Sequence, residues 1–229
     1  MRIGILETGV PPLGLKDRFG DYPSMVRALL GEGFETETFD VVADGPPQAD
    51  GFAGYVITGS AAGVYDELPW IAPLAEFLRA QRGRSKMVGI CFGHQIMAQA
   101  FGGQVIKSPK GWGIGLQRYE VAARAGWMDG GDAVAIPASH QDQVVQRPPG
   151  ATVTLASDFT PYAGLAYDDG LAISFQAHPE FAPAFAVTLI ESRRGARFAD
   201  AEADAAIASL GEPNDRARVG EWIRRFLAD

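Results

Sequence analysis

Three short apolar runs, at residues 2–6, 52–58 and 86–90, are separated by two segments, 22–30 and 70–82, whose apolar residues recur at helical spacing. The runs are rich in Ile, Val and Gly and lack polar alternation, as strands buried on both faces do. Parallel neighbours need a crossover of a dozen or more residues, which a helix supplies. The chain is therefore constrained to an α/β fold, a mostly parallel sheet covered on both faces. Pro73 fits the first turn of the second helix, where its missing N–H has no helical partner to lose.

The second half reads differently. Short runs at 113–121, 132–136, 152–157, 162–167 and 171–176 are bounded by Gly, Pro and Asp, and Asp168-Asp169-Gly170 has the composition of a hairpin turn. These runs predict antiparallel additions to the sheet. After Asn214-Asp215, the residues Val219, Trp222, Ile223, Phe226 and Leu227 fall on one helical face, with Asn214 or Asp215 as the cap. No repeat or linker interrupts the pattern. One domain over 1–229 is expected, with a core at about 1–190 and a helical extension at about 191–229, packed on that core.

Composition narrows the function. The 229 residues carry a formal net charge of −8, opposite to the clustered basic footprint of a nucleic-acid or anionic-membrane surface. No apolar run approaches the roughly 18 residues of a membrane span, and the first residues lack a signal-peptide pattern, so a cytoplasmic location is expected. The single cysteine, Cys91, excludes an internal disulfide and a cluster held by several thiolates; no metal and no cofactor is expected.

Cys91 lies in Gly89-Ile90-Cys91-Phe92-Gly93-His94-Gln95, after an apolar strand and before a helical stretch at 95–101. So tight a strand-to-helix turn strains its apex, and glycines two residues to either side let the neighbouring elements approach. The thiol would stand at the carboxyl edge of the sheet over a helix N-terminus, whose N–H groups favour a thiolate. A buried structural cysteine is the alternative.

A thiolate nucleophile needs an imidazole to move protons and a third group to orient that imidazole. Two segments offer a His-x-acid spacing, His178-Pro179-Glu180 and His140-Gln141-Asp142. Pro179 biases His178 toward an extended backbone, which would set the Glu180 carboxylate behind the ring; this favours His178 and leaves His140 open. His94, beside the cysteine on the turn, reads as structural.

The elbow at Gly89–Gln95, the segment Ser139-His140-Gln141-Asp142-Gln143-Val144 and the segment Gln176-Ala177-His178-Pro179-Glu180 resemble the class I glutamine amidotransferases. Most similar in pattern are the glutaminase domain of GMP synthases and its stand-alone relatives, over roughly residues 1–190. The resemblance implies a three-layer α/β/α fold and Cys91, His178 and Glu180 as the catalytic residues. It implies that Gln95, Ser139 and His140 hold the amino-acid end of glutamine. It also implies an oxyanion hole built from the loop at Gly59-Ser60 and the Phe92 N–H. Where many members have a second Gly and a Pro, this loop runs Gly59-Ser60-Ala61-Ala62; a backbone donor survives that change. The α/β-hydrolases use a similar elbow, but their acid precedes the histidine in the chain, whereas Glu180 follows it.

The resemblance implies a glutaminase that releases glutamate and ammonia, with a separate ammonia-accepting synthase subunit as partner. The nucleotide loop of GMP synthases and a phosphate loop are absent from the sequence, so it is not expected to aminate a nucleotide unaided. The run Lys110-Gly111-Trp112-Gly113 and the segment at 140–144 are similar to plant γ-glutamyl peptidases, which implies the alternative, a γ-glutamyl compound cleaved without a partner. A non-catalytic binding protein is the third reading. Lys110 or Arg118 would read an anionic substrate. The segment 7–21, with Gly9, Pro11, Pro12, Gly14 and Gly20, reads as a long loop at the catalytic edge that would wall the leaving-group side.

Overall fold

A computed structural model describes residues 1–48 and 51–229. The first half comprises β1 (Arg2–Glu7), α1 (Leu15–Phe19), α2 (Tyr22–Leu30), β2 (Glu35–Asp40), α3 (Val41–Asp44), β3 (Gly54–Ile57), α4 (Ile71–Gln81), β4 (Lys86–Ile90) and α5 (Phe92–Ala100). There follow β5 (Gln104–Lys107), β6 (Gly113–Val121), β7 (Ala133–His140), β8 (Asp142–Gln146), β9 (Ala151–Ala156), β10 (Gly164–Tyr167) and β11 (Ala172–Phe175). The last elements are α6 (Pro183–Glu191), α7 (Asp200–Ser209) and α8 (Arg216–Ala228).

The central sheet has the order β2-β1-β3-β4-β11-β10-β9-β6-β7. Strands β2, β1, β3, β4 and β11 are parallel, and β10, β9, β6 and β7 continue antiparallel. This is the expected α/β architecture. The period of two along each strand divides the core. Ile3, Ile5, Val56, Val88 and Ile90 face α2 and α8, where Leu29, Val219, Trp222 and Ile223 close the layer. Leu6, Tyr55, Ile57 and Met87 face α4 and α5, against Leu74, Leu78, Ile96 and Met97. A third cluster joins α6 and α7 to β6 through Ile114, Ile190, Phe198 and Ala206.

The differences from the sequence expectations have local causes. Strand β2 escapes the pattern because it is an edge strand with polar and charged residues, Glu35, Thr36, Glu37 and Thr38, and only β1 beside it. Strands β5 and β8 form a separate two-stranded sheet, too short to signal itself. The segment 7–21 is not a loop throughout: it contains α1, whose Leu15 packs with Phe181 and Phe185. Strand β7 runs on to His140. Asp215 occupies the N-cap position of α8 without capping it. Its carboxylate accepts from the Ala135 N–H at 2.7 Å and its own N–H donates to the Ala135 carbonyl at 2.8 Å, joining the helix start to β7. Among the described residues no helix is long and apolar enough to cross a membrane.

Candidate active site

The parallel register gathers the sequence-predicted residues at one edge. Ile57 pairs with Gly89, and Phe175 pairs with Ile90, so β3, β4 and β11 end side by side. Gly59 and Ser60 follow β3 after Thr58, Cys91 follows β4 directly, and His178 follows β11 by three residues. The Cys91 N–H donates to the Phe175 carbonyl at 2.8 Å, carrying the pairing into the turn. A crevice beyond the carboxyl ends of the strands is where open α/β sheets take ligands.

Cys91 has φ 53°, the only positive φ outside glycine among the described residues. An L-residue there is strained by about 1–3 kcal/mol, which the surrounding packing must offset. Two glycines permit that packing. A Cβ on Gly93 would lie 2.3 Å from the Ile57 carbonyl oxygen, and a Cβ on Gly89 would lie 2.6 Å from the Gly93 carbonyl. Helix α5 starts at Phe92, so its free N–H groups face the turn. Among the described residues neither the Ser60 nor the Phe92 N–H has an acceptor.

His178 is buried, and its Nδ1 lies 2.7 Å from Glu180 Oε1. The carboxylate accepts the Nδ1 proton, which leaves Nε2 as the basic nitrogen of the neutral ring. Burial works against the imidazolium. The Glu180 carboxylate and then Cys91 outweigh it, by charge and by hydrogen bonding, and hold the His178 pKa well above the ordinary histidine value. Phe181 stacks on the imidazole at 3.8 Å between centroids, and Gly59 packs so close that a Cβ would stand 3.1 Å from His178 Cε1.

The other two histidines do not share this arrangement. His140 Nδ1 meets the Asp142 backbone carbonyl at 3.2 Å, while the Asp142 carboxylate accepts from Tyr65 Oη at 2.8 Å. The His140-Gln141-Asp142 spacing therefore yields no imidazole–carboxylate pair, and burial lowers the His140 pKa to about 4. His94 is fully buried, lies 2.8 Å from Ser174 Oγ through Nδ1, and is lowered to about 3 by burial.

A cavity of about 310 Å³ opens over Cys91. Gly59, Ser60, Gln95, Ser139, His140 and His178 line it; Glu180 and Phe92 lie behind its wall. Gln95 Nε2 donates to the Asp142 carbonyl at 2.9 Å and to Gln176 Oε1 at 3.2 Å, so both its donors are engaged within the protein. Lys110 and Arg118 do not reach the cavity: Lys110 Nζ donates to the Phe159 carbonyl at 3.1 Å, and Arg118 pairs with Glu120 on the surface. No residue of the segment 7–21 lines the cavity either.

Among the residues of the site without an expected role, Gln176, Arg216 and Arg193 hydrogen-bond to its parts. Gln176 is fully buried and its Nε2 donates to Cys91 Sγ at 3.9 Å; its place two residues before His178, on the same side of an extended segment, was the available signal. Arg216, the first residue of α8, donates to the carbonyls of Pro179 at 2.9 Å and Glu180 at 3.1 Å. Arg193, just past α6, lines the cavity and donates to Ser139 Oγ at 3.0 Å. Neither arginine had a sequence signal, since both reach the site from elements distant in the chain.

Known proteins share the family pattern and the fold. Residues 24–189 match the family profile described as glutamine amidotransferase class-I. Gamma-glutamyl peptidase 3 of Arabidopsis thaliana is 31% identical over 180 residues, 73% of this chain and 72% of that protein. A glutamine amidotransferase-like protein of Schizosaccharomyces pombe is 29% identical over 99% of this chain and 98% of its own length. The crystal structure of a glutamine amidotransferase from Thermotoga maritima shares the fold, with a TM-score of 0.79 and 16% identity, covering 100% of this chain and 99% of that one.

Proposed function

The chain belongs to the glutamine amidotransferase class-I family, and from that membership we propose that it hydrolyses a γ-glutamyl amide bond through a thioester on Cys91. Glutamine is the simplest such substrate, with glutamate and ammonia as products. The observation that carries this reading is the buried His178–Glu180 pair at 2.7 Å, beside a cysteine on a strained turn at the same sheet edge.

In this reading the Cys91 thiol gives its proton to His178 and attacks the amide carbon. The carbonyl oxygen becomes an oxyanion facing the Ser60 and Phe92 N–H groups, whose lack of a protein acceptor leaves them available. One such donor is worth about 10²–10³-fold in rate. His178 then protonates the leaving nitrogen, and the thioester remains. Water, deprotonated by His178, attacks the thioester carbon and releases glutamate and the Cys91 thiol. Acid–base assistance of this kind contributes about 10²–10⁴-fold. Glu180 holds the imidazole in the productive tautomer and stabilises its cationic form.

A γ-glutamyl peptide as substrate is the second reading, with a free amine leaving in place of ammonia; the likeness to γ-glutamyl peptidases over 73% of the chain favours it. In the glutaminase reading a separate synthase subunit takes up the ammonia.

The test is release of ammonia or amine, and of glutamate, by purified protein given glutamine or γ-glutamylglycine, together with labelling by a diazo-ketone analogue of glutamine. Turnover that disappears in Cys91→Ala, with label on Cys91 of the native protein, is the expected result. Wild-type turnover by Cys91→Ala would sink the proposal.

A further inference from the structure

Arg193 is half-buried on the cavity wall, and its hydrogen bond to Ser139 Oγ occupies one of five guanidinium donors. Arg197, whose N–H donates to the Arg193 carbonyl at 2.8 Å, also lines the cavity and stands over the Trp112 ring at 5.5 Å. Among the described residues neither arginine has a carboxylate within ion-pair distance. Arg194, between them in sequence, pairs with Glu191 at 2.7 Å and with Asp204 at 2.8 Å. Carboxylates thus pair with Arg194 on the outer side, whereas the two that line the cavity, Asp66 and Asp142, accept from the Gly63 N–H and Tyr65 Oη and pair with neither Arg193 nor Arg197. A guanidinium with donors to spare has the geometry to take a carboxylate in a bidentate pair.

The position of Arg193 indicates which part of a substrate it meets. His178 protonates the leaving nitrogen, so the leaving group lies on the His178 side. On that side Phe181 stacks on His178, and Tyr22 stacks on Phe181 with centroids 5.8 Å apart. Tyr22, Phe181 and Leu189 all line the cavity, and Arg193 follows Leu189 by one helical turn. The His178 N–H donates to the Pro137 carbonyl at 2.8 Å, two residues before the Ser139 that holds Arg193. Charged groups of both signs line the cavity beside Gln95, where the resemblance puts the amino-acid end: Asp142 and Lys107 are register partners in β8 and β5, and Ser139, bonded to Arg193, is reassigned from that end to the leaving-group side.

We propose that Arg193, with Arg197 at the rim, binds a carboxylate carried by the leaving group, so that the site favours γ-glutamyl dipeptides over glutamine. The apolar wall of Tyr22, Phe181 and Leu189 lies along the leaving amino acid, and the guanidinium meets its carboxylate. This rests on the hydrolytic reading above and deepens it to a substrate class. Arg193 is here a specificity-determining residue and takes no part in bond making.

The experiment compares γ-glutamylglycine, whose leaving group carries a carboxylate, with γ-glutamylethylamide, which has the same scissile bond and none. For Arg193→Gln the ratio of kcat/KM on γ-glutamylglycine to that on the ethylamide is expected to fall about 10–100-fold, the range of a charged hydrogen-bonded contact. Arg193→Lys keeps the charge and is expected to retain part of the preference. Equal losses on the two substrates would place Arg193 on the γ-glutamyl moiety or in the scaffold and overturn the proposal, as would no loss on either. Binding separates this from failure of the hydrolytic reading. Were the wild type to cleave neither compound, titration calorimetry on Cys91→Ala still decides. Tighter binding of γ-glutamylglycine than of the ethylamide, abolished by adding Arg193→Gln, supports the carboxylate site; equal binding refutes it.

Discussion

The backbone N–H of Cys91 donates to the carbonyl of Phe175 at 2.8 Å, although 84 positions separate them in the chain. That bond extends the parallel pairing of β4 and β11 one residue past the last strand pair, Ile90 with Phe175. It ties the residue that carries the thiol to the strand that leads to His178. A shift of this register by one residue would turn every side chain to the opposite face and separate the two groups. The reactive arrangement is therefore a property of sheet register, and four expectations follow from its parts.

Glu180→Gln keeps the shape of the acid and removes its charge. The amide can donate to His178 Nδ1 and so favour the wrong tautomer, which is expected to lower kcat by about 10²–10⁴-fold. The His178 pKa, raised in the native protein chiefly by Glu180 against the opposing effect of burial, should fall, as an NMR titration of the ring protons would report. A raised native-state pKa adds stability fully present below the unfolded value of about 6.5, and that stability is lost as pH rises toward the native value. The stability gap between wild type and Glu180→Gln in urea unfolding should accordingly be larger near pH 6.5 than near pH 9. A gap that is constant or widens with pH would contradict the assigned sign.

Gly93→Ala tests the close approach under the turn. The new Cβ would meet the Ile57 carbonyl oxygen at 2.3 Å, a backbone atom that cannot rotate away. Overpacking of this kind costs about 1–3 kcal/mol, and a displaced turn should lower kcat as well. Urea unfolding and steady-state kinetics measure the two effects; wild-type values of both would show that the turn does not need the contact.

Arg216→Gln removes the charged donor that holds the Pro179 and Glu180 carbonyls. Arg216 is a positioning residue, so kcat should fall about 10-fold, with KM changed little. The pH dependence of kcat should shift as the His178–Glu180 geometry loosens. Arg216→Lys should restore part of the rate. A rise in KM with kcat unchanged would indicate a role in binding substrate instead.

Gln176→Met replaces the amide that donates to Cys91 Sγ with a side chain of similar volume and no donor. Hydrogen bonds to an ionised acceptor are about twice as strong as neutral ones, so the thiolate should lose support that the thiol does not. Alkylation of Cys91 by iodoacetamide at neutral pH is expected to slow by about 10-fold, and loss of the Gln176 Oε1 acceptor of Gln95 Nε2 should cost about 1–3 kcal/mol of stability. An unchanged alkylation rate would show that the 3.9 Å contact carries no weight.

Several parts of the molecule were legible from local chemistry. Residues 86–90 and 22–30 form the strand and the helix expected of them, because a continuous apolar run and a one-sided apolar stripe each have a single way to bury themselves. The glycines at 89 and 93 marked the turn at Cys91, since only a missing Cβ allows helix and strand so close. Strand β2 was not legible, because an edge strand with solvent on one side needs no apolar pattern.

What the amino-acid order determined by itself is thus the set of elements, the strained turn that carries Cys91, and a short list of groups able to act with it. Choosing among those groups required the fold. His140-Gln141-Asp142 and His178-Pro179-Glu180 present the same spacing in sequence, yet only the second forms an imidazole–carboxylate pair, because Asp142 turns to Tyr65. Gln176 and Arg216 support Cys91 and Glu180, and Arg193 stands on the cavity wall, for a reason that no local pattern can hold. Their partners lie on other strands and helices, and register and packing bring them together only when the sheet closes.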